Sequence, residues 1–340
     1  MRIAVIGAGA IGCLVAGYLA KAGERVLLVA RKEQAQVIEK GGLHITGVRG
    51  EENIKLPVAN RLNQNHDLVI FTVKPQDIEK AYEENHRYLE EGFILTTQNG
   101  VQADNLLSIH FDKENMFSSI VMFGATYIKP GEATFNFEGD WIVGKPYGPS
   151  DPNTQKIAQI LKTAFPVVIS DDVMGMKWLK LFVNFNNCLP ALIGKSMQET
   201  FSDLDLCRLS ILLLKEGVDV VTKSGVELVS LPQFPKDRIF GLTAMPVNQA
   251  AAIINKTLTS LSKEPLYGSI LQSIMRKKTS EIDYINGEVV VLSKNIGLKA
   301  PLNRKIVELV HEVENTGRFF DKERIKNEFQ LSAISSQALS

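Results

Sequence analysis

Apolar positions in the first half of the chain fall in short, nearly continuous runs, separated by stretches with helical spacing. Arg2–Ile6 reads as a strand buried on both faces, the pattern of a parallel sheet. Residues 10–22 have helical spacing with Gly23 as their stop; a strand at 25–30 and a helix at 32–40 follow. Residues 68–73 and 93–97 form further apolar strands, with a helix near 76–88 between them. This βαβα rhythm predicts a Rossmann-type, doubly wound α/β domain. Between 118 and 144 the pattern changes to strand–turn–strand, with turn signals at Lys129-Pro130-Gly131 and Glu138-Gly139-Asp140. An antiparallel extension of the same sheet is expected there, then a helix at 154–164 and a last strand at 167–170.

Beyond Asp172 the strand signals fade. Helical spacing is read at 177–192, 203–224, 247–261, 280–296 and 303–316. The chain is therefore expected to comprise a dinucleotide-binding domain over residues 1–172 and a mainly α-helical domain over 173–340. A hinge is expected near residues 171–175, so that cofactor and substrate bind cooperatively. The small, polar stretch 332–340 is expected to fray.

Between the first strand and first helix lies Gly7-Ala8-Gly9-Ala10-Ile11-Gly12, a complete G-x-G-x-x-G in the context the dinucleotide fingerprint requires. Gly7 would make the tight turn, Gly9 would admit the pyrophosphate to the backbone, and Gly12 would let the helix pack close to the strand. The end of the second strand reads Val29-Ala30-Arg31-Lys32 rather than an acidic residue. Arg31 would offer its donor fork to the 2′-phosphate of NADPH or NADP+, with Lys32 as a second charge. The competing reading leaves Arg31 solvated and assigns the ribose to Glu33.

Composition narrows the partners. Lys plus Arg and Asp plus Glu are balanced at 38 each, which gives no general reason to expect a nucleic acid or an anionic membrane. No stretch approaches about 18 uninterrupted apolar residues, so no transmembrane helix is expected. The N-terminus reads as strand, turn and helix rather than a signal peptide. Cys13, Cys188 and Cys207 are widely spaced. They argue against a disulfide framework or a structural metal site, and for a cytoplasmic protein.

Hydride transfer to a carbonyl needs a proton donor beside the developing alkoxide. His44, His66, His86 and His110 lie in loops or at element ends, and His311 lies on a late helix, so a histidine dyad is not favoured. Lys177, Lys180, Asn184 and Asn187 or Cys188 recur at three- and four-residue steps, which places them along one helix face. The residues alone leave open whether that face is a surface stripe or lines a cleft.

The chain resembles the ketopantoate reductase (2-dehydropantoate 2-reductase) family over nearly its whole length. The resemblance rests on an ordered set of segments: the glycine loop with Arg31, Thr72-Val73-Lys74, Gln98-Asn99-Gly100, and the stretch from Lys177 to Asn184. Gly268-Ser269-Ile270-Leu271-Gln272 and Thr279-Ser280-Glu281-Ile282-Asp283-Tyr284-Ile285-Asn286-Gly287 complete it. It implies NADPH-dependent reduction of a small 2-oxo acid, ketopantoate to pantoate in pantothenate biosynthesis, in a cleft between the two domains. By resemblance Lys180 is the general acid, and Glu281 hydrogen-bonds the substrate hydroxyl. Asn184 and Ser269 match substrate-binding positions, with Ser269 on the carboxylate. Lys74 and Asn99 match positions near the nicotinamide and substrate. A homodimer is the family-based expectation.

Each of these residues also has a plainer reading: Lys74 as a strand end, Asn99-Gly100 as a turn, Glu281 as a solvated charge, Ser269 as a helix cap. The chain departs from the family pattern at Cys188, Leu266 and Ser273. Those departures bear on the substrate more than on the reaction, and leave a paralogue acting on another 2-oxo acid as the alternative. A non-catalytic NADP(H) sensor would lack the proton donor, and the presence of Lys180 and Glu281 speaks against it.

Overall fold

A computed structural model describes residues 1–330; the expectation for 332–340 lies outside the described residues. The described residues divide into two compact units, one ending at Lys177 and the other beginning at Trp178. The division falls inside one helix, α6 (Val173–Asn184).

The first unit is built on an eight-stranded sheet. Its strands are β1 (Arg2–Ile6), β2 (Arg25–Val29), β5 (Val58–Ala59), β6 (Leu68–Phe71), β7 (Phe93–Thr96), β8 (Met116–Val121), β11 (Trp141–Gly144) and β12 (Val167–Ile169). They are ordered β12-β11-β8-β7-β6-β1-β2-β5. All neighbours pair in parallel except β8 and β11. The sequence explains the burial: Ile3 and Val5 of β1 join one core, Ala4 and Ile6 the other, as a strand covered on both faces requires.

A second sheet of β3 (Leu43–Gly47), β4 (Glu52–Ile54), β9 (Gly124–Lys129) and β10 (Glu132–Phe137) is ordered β4-β3-β10-β9. The strand–turn–strand region therefore does not simply extend the main sheet. Only β11 adds to it antiparallel, while β9 and β10 pair with each other and β10 joins β3. Helix α1 (Ala10–Lys21) lies between the sheets, its core shared with Leu28 on one side and Ile45 and Phe135 on the other. Hence it is apolar nearly all round rather than amphipathic. The remaining helices of this unit are α2 (Lys32–Gly41), α3 (Ile78–Asn85), α4 (Gln102–Leu107), α5 (Pro152–Leu161) and the first turns of α6.

The second unit is helical: α7 (Cys188–Ile193), α8 (Met197–Phe201), α9 (Leu204–Lys223), α10 (Lys236–Ala244), α11 (Val247–Thr259), α12 (Ser269–Met275), α13 (Asn286–Asn295), α14 (Pro301–Thr316) and α15 (Lys322–Glu328). Its longest helix, α9, is capped by Asp203 and packs against α11, α13 and α14. Two helices expected as continuous are interrupted. The stretch 177–192 breaks into α6, a 3-10 turn at Phe185–Asn187, and α7. Pro190 has no N–H for an α-helical bond to Asn186, so it is tolerated only in the first turn of a new helix. The stretch 280–296 opens with a 3-10 turn at Ile282–Tyr284 before α13 starts.

Candidate active site

The chain reverses its winding at β1, which pairs with β2 on one side and β6 on the other. In doubly wound sheets ligands bind at the carboxyl ends of strands around such a switch point. The glycine loop sits at that end of β1. Gly7 has φ +116°, and a Cβ there would stand 2.9 Å from the Val73 backbone nitrogen. At Gly12 a Cβ would fall 1.8 Å from the Gly7 carbonyl oxygen, so the close approach of helix to strand demands glycine. A Cβ on Gly9 meets nothing within 4 Å, which leaves the backbone open to a ligand. No side chain caps α1, and its first turn carries no acidic residue. Its leading N–H groups therefore suit an anion such as a pyrophosphate.

Neighbouring side chains hold this loop through its carbonyls. The Thr72 hydroxyl donates toward the carbonyls of Ile6 (3.0 Å) and Gly7 (2.8 Å). The Gln34 amide, on α2, donates to the Ala8 carbonyl (3.1 Å) and the Tyr127 hydroxyl (2.9 Å). The buried Gln98 amide donates to the carbonyls of Phe71 (2.8 Å) and Val73 (2.9 Å), latching the end of β7 to the end of β6. Asn99 follows on that latched loop, and Gly100 turns it with φ +79°. Half-buried Lys74 opens the 3-10 turn Pro75–Asp77. Thus the glycine loop, Lys74 and Asn99 all lie at the carboxyl ends of adjacent strands. Arg31 follows the end of β2, with its side chain 76% exposed and its guanidinium 3.7 Å from the Asp77 carboxylate. A phosphate arriving at Arg31 would have to compete with that carboxylate. Glu33, the competing candidate, is exposed on the first turn of α2.

The polar stripe begins with Lys177, which is spoken for. Its ammonium lies 2.6 Å from Asp104, and both side chains are almost wholly buried. Asp104 also accepts from the hydroxyls of Thr96 (2.6 Å) and Ser118 (2.9 Å), so the buried charge is fully surrounded by donors. Lys180 and Asn184 follow on α6 in the second unit, both half-buried. Cys188 is buried, its thiol donates to the Phe185 carbonyl, and burial pushes its pKa up to about 12. Asn187 instead reaches the start of α12: a Cβ added to Gly268 would fall 2.5 Å from its Oδ1. Ser269 is the exposed first residue of α12, and Gly268 occupies the cap position. Glu281, half-buried, precedes the 3-10 turn Ile282–Tyr284. Among the described residues, no group of three or more His, Cys, Asp or Glu side chains is arranged to hold a metal ion. No helix of those residues is long and apolar enough to cross a membrane.

A family model described as ketopantoate reductase PanE/ApbA matches residues 3–148, and that of its C-terminal half matches residues 172–314. The chain belongs to the ketopantoate reductase family. It is accordingly an oxidoreductase with a Rossmann-type dinucleotide unit. A relative named 2-dehydropantoate 2-reductase, from Pyrococcus abyssi, is 28% identical over 306 residues, covering 89% of this chain and 94% of its own. The solved structure of a PanE/ApbA family ketopantoate reductase from Ralstonia eutropha JMP134 is 27% identical. It superposes with a TM-score of 0.77, over 93% of this chain and 99% of that one. The fold is also shared, at 23% identity and a TM-score of 0.80, with a D-mandelate dehydrogenase solved with NADH and anilino(oxo)acetate; coverage is again 93% and 99%.

Several residues that shape the site carry no signal in a motif. Gln34, Asp77 and Asp104 act through partners distant in sequence, and only the folded sheet shows them. Gln98 and Thr72 lie inside the family-like segments, where they hold the glycine loop and the loop before Asn99.

Proposed function

We propose that this protein reduces a 2-oxo acid to the 2-hydroxy acid with NADPH, and that ketopantoate, giving pantoate, is the substrate to test first. The observation that carries this reading is the ordered match to both halves of the family. The second match includes Lys180, Asn184, Ser269 and Glu281.

The dinucleotide fits the first unit by its backbone: the pyrophosphate against the open face of Gly9 and the N–H groups opening α1, the 2′-phosphate against Arg31. Lys74 and Asn99 serve the nicotinamide end, from the strand ends latched by Gln98. When bound, the cofactor supplies the hydride. Lys180 donates a hydrogen bond to the oxo group and hands a proton to its oxygen as negative charge develops there. Glu281 accepts from the substrate hydroxyl, Ser269 donates to the carboxylate, and Asn184 fixes the acid between them. In this reading residues 1–172 hold the cofactor, residues 173–340 handle the acid, and the protein works in the cytoplasm as a homodimer.

A different 2-oxo acid is the second reading. Cys188 is buried and Leu266 is 37% exposed, and both stand where the chain departs from the family pattern. The fold shared with D-mandelate dehydrogenase adds an aryl 2-oxo acid and NADH to the assay.

The test is turnover of a panel of 2-oxo acids with NADPH and with NADH, followed at the nicotinamide absorbance. Fastest turnover of ketopantoate supports the first reading, and turnover of other acids alone supports the second. Lys180→Ala is expected to lose about 10²–10⁴-fold in kcat while still binding NADPH. Arg31→Ala is expected to lower the preference for NADPH over NADH by about tenfold. Full activity in the first variant, or an unchanged preference in the second, removes the corresponding assignment.

A further inference from the structure

The turn that carries Glu281 is gripped from both sides by one histidine and two carboxylates. On the near side, the backbone N–H of buried Ser280 donates to Glu314 Oε1 at 2.7 Å. On the far side stands Asp283, two residues beyond Glu281, within the 3-10 turn. His311 joins the two: its Nδ1 lies 2.9 Å from Glu314 Oε2, one turn away on α14, and its Nε2 lies 3.0 Å from Asp283 Oδ1. The turn closes on itself, Tyr284 N–H donating to the Glu281 carbonyl at 3.0 Å and Ile282 N–H to the Ser280 hydroxyl at 3.3 Å.

Carboxylates accept and do not donate, so the ring makes both bonds only when both its nitrogens carry protons. Burial opposes that charge, but the bonds to Glu314 and Asp283 outweigh it and hold the imidazole pKa above its usual value. Asp283 of the 3-10 turn and Glu314 of α14 itself are the charged groups whose fields act on the ring. The packing is suited to a clamp: α14 lies against that turn and against α13, the helix that follows it.

We infer that His311 is a positioning residue which, by tying Glu314 to Asp283, fixes the turn that presents Glu281 to the oxo acid. The inference rests on the reading of Glu281 as a substrate contact. A carboxylate that must meet a hydroxyl at hydrogen-bond distance loses its effect when its backbone shifts, and a 1 Å misplacement can cost about a hundredfold.

The experiment is a double-mutant cycle on the full chain, with NADPH and whichever oxo acid it turns over fastest. His311→Leu is expected to lower kcat/KM for the acid by about tenfold, with the KM for NADPH unchanged. In a Glu281→Gln background the same substitution is expected to change kcat/KM by less than about twofold, because its effect passes through the carboxylate already removed. Should His311→Leu fail to fold, His311→Gln keeps the shape but can donate to only one carboxylate, and the same cycle applies. Equal losses in both backgrounds would show a general structural role and overturn the inference alone, as would wild-type kinetics in the single variant. Wild-type activity in Glu281→Gln would overturn the reading of Glu281, and the inference with it.

Discussion

The proposed site draws on main chain in the first unit and on side chains in the second, and the two are held in different ways. Around the glycine loop the organising groups, Thr72, Gln34 and Gln98, all act on backbone carbonyls, and the surface proposed to meet the cofactor is the bare peptide of Gly9 and the opening of α1. In the second unit Lys180 and Asn184 come from α6, Ser269 from α12 and Glu281 from a turn. What steadies that turn is an ionic clamp through a half-exposed histidine. A peptide cradle is intolerant of an added methyl group where helix and strand pack close, as at Gly12. A side-chain constellation is sensitive to charge and to the posture of the elements that carry it.

That contrast can be broken or sharpened in three ways. The largest effect is expected at the buried charge of the first unit. Asp104→Ala strands the Lys177 ammonium, and unfolding in denaturant should show a loss of about 3–5 kcal/mol. Replacing both residues by leucine should cost much less. If the double replacement costs as much as the single, the pair contributes more than mutual compensation.

Next come two glycines of one loop. Gly12→Ala drives a Cβ into the Gly7 carbonyl, and is expected to cost about 1–3 kcal/mol or more and to abolish NADPH binding. Gly9→Ala places its Cβ in open space at an allowed backbone angle, φ −80°. Its stability should change by less than about 1 kcal/mol, while NADPH affinity measured by fluorescence titration falls. Equal thermal destabilisation of the two would contradict the distinction between packing glycine and ligand-facing glycine.

The smallest effect belongs to the clamp, whose histidine is 36% exposed and so screened by solvent. Its pKa is raised on folding above the ordinary 6.5. The stabilisation is therefore complete below that value and is lost as the pH rises through the raised one. Thermal unfolding from pH 6 to pH 9 should show this decline in the wild type, and His311→Leu should lack that component. An identical pH dependence in the two proteins would dismiss the ion pairs as a source of stability.

How much could be read beforehand follows the same division. The β1–loop–α1 unit was legible because every requirement falls within neighbouring residues: a doubly buried strand, three glycines and an apolar helix. The second sheet was not, because β10 pairs with β3, with Thr134 opposite Thr46, 88 residues apart in the chain. Lys177 is equivalent to Lys180 by helical spacing, yet it pairs with Asp104, a carboxylate from another element that also accepts from two hydroxyls. His311 looked like an ordinary helix residue until Asp283 and Glu314 appeared on either side of its ring.

The dinucleotide loop, the alternation of strand and helix that surrounds it, and the family are all legible in the order of residues alone. These depend on contacts between residues close along the chain, or on an order of segments that needs no folding to be seen. The tertiary structure alone shows which polar residues are tied to buried partners. A side chain's role is set by the donors and acceptors around it, and here those come from strands and helices far away in the chain. It placed Lys177 among buried anchors, brought Asn187 rather than Cys188 to the start of α12, and gave His311 a task no motif recorded.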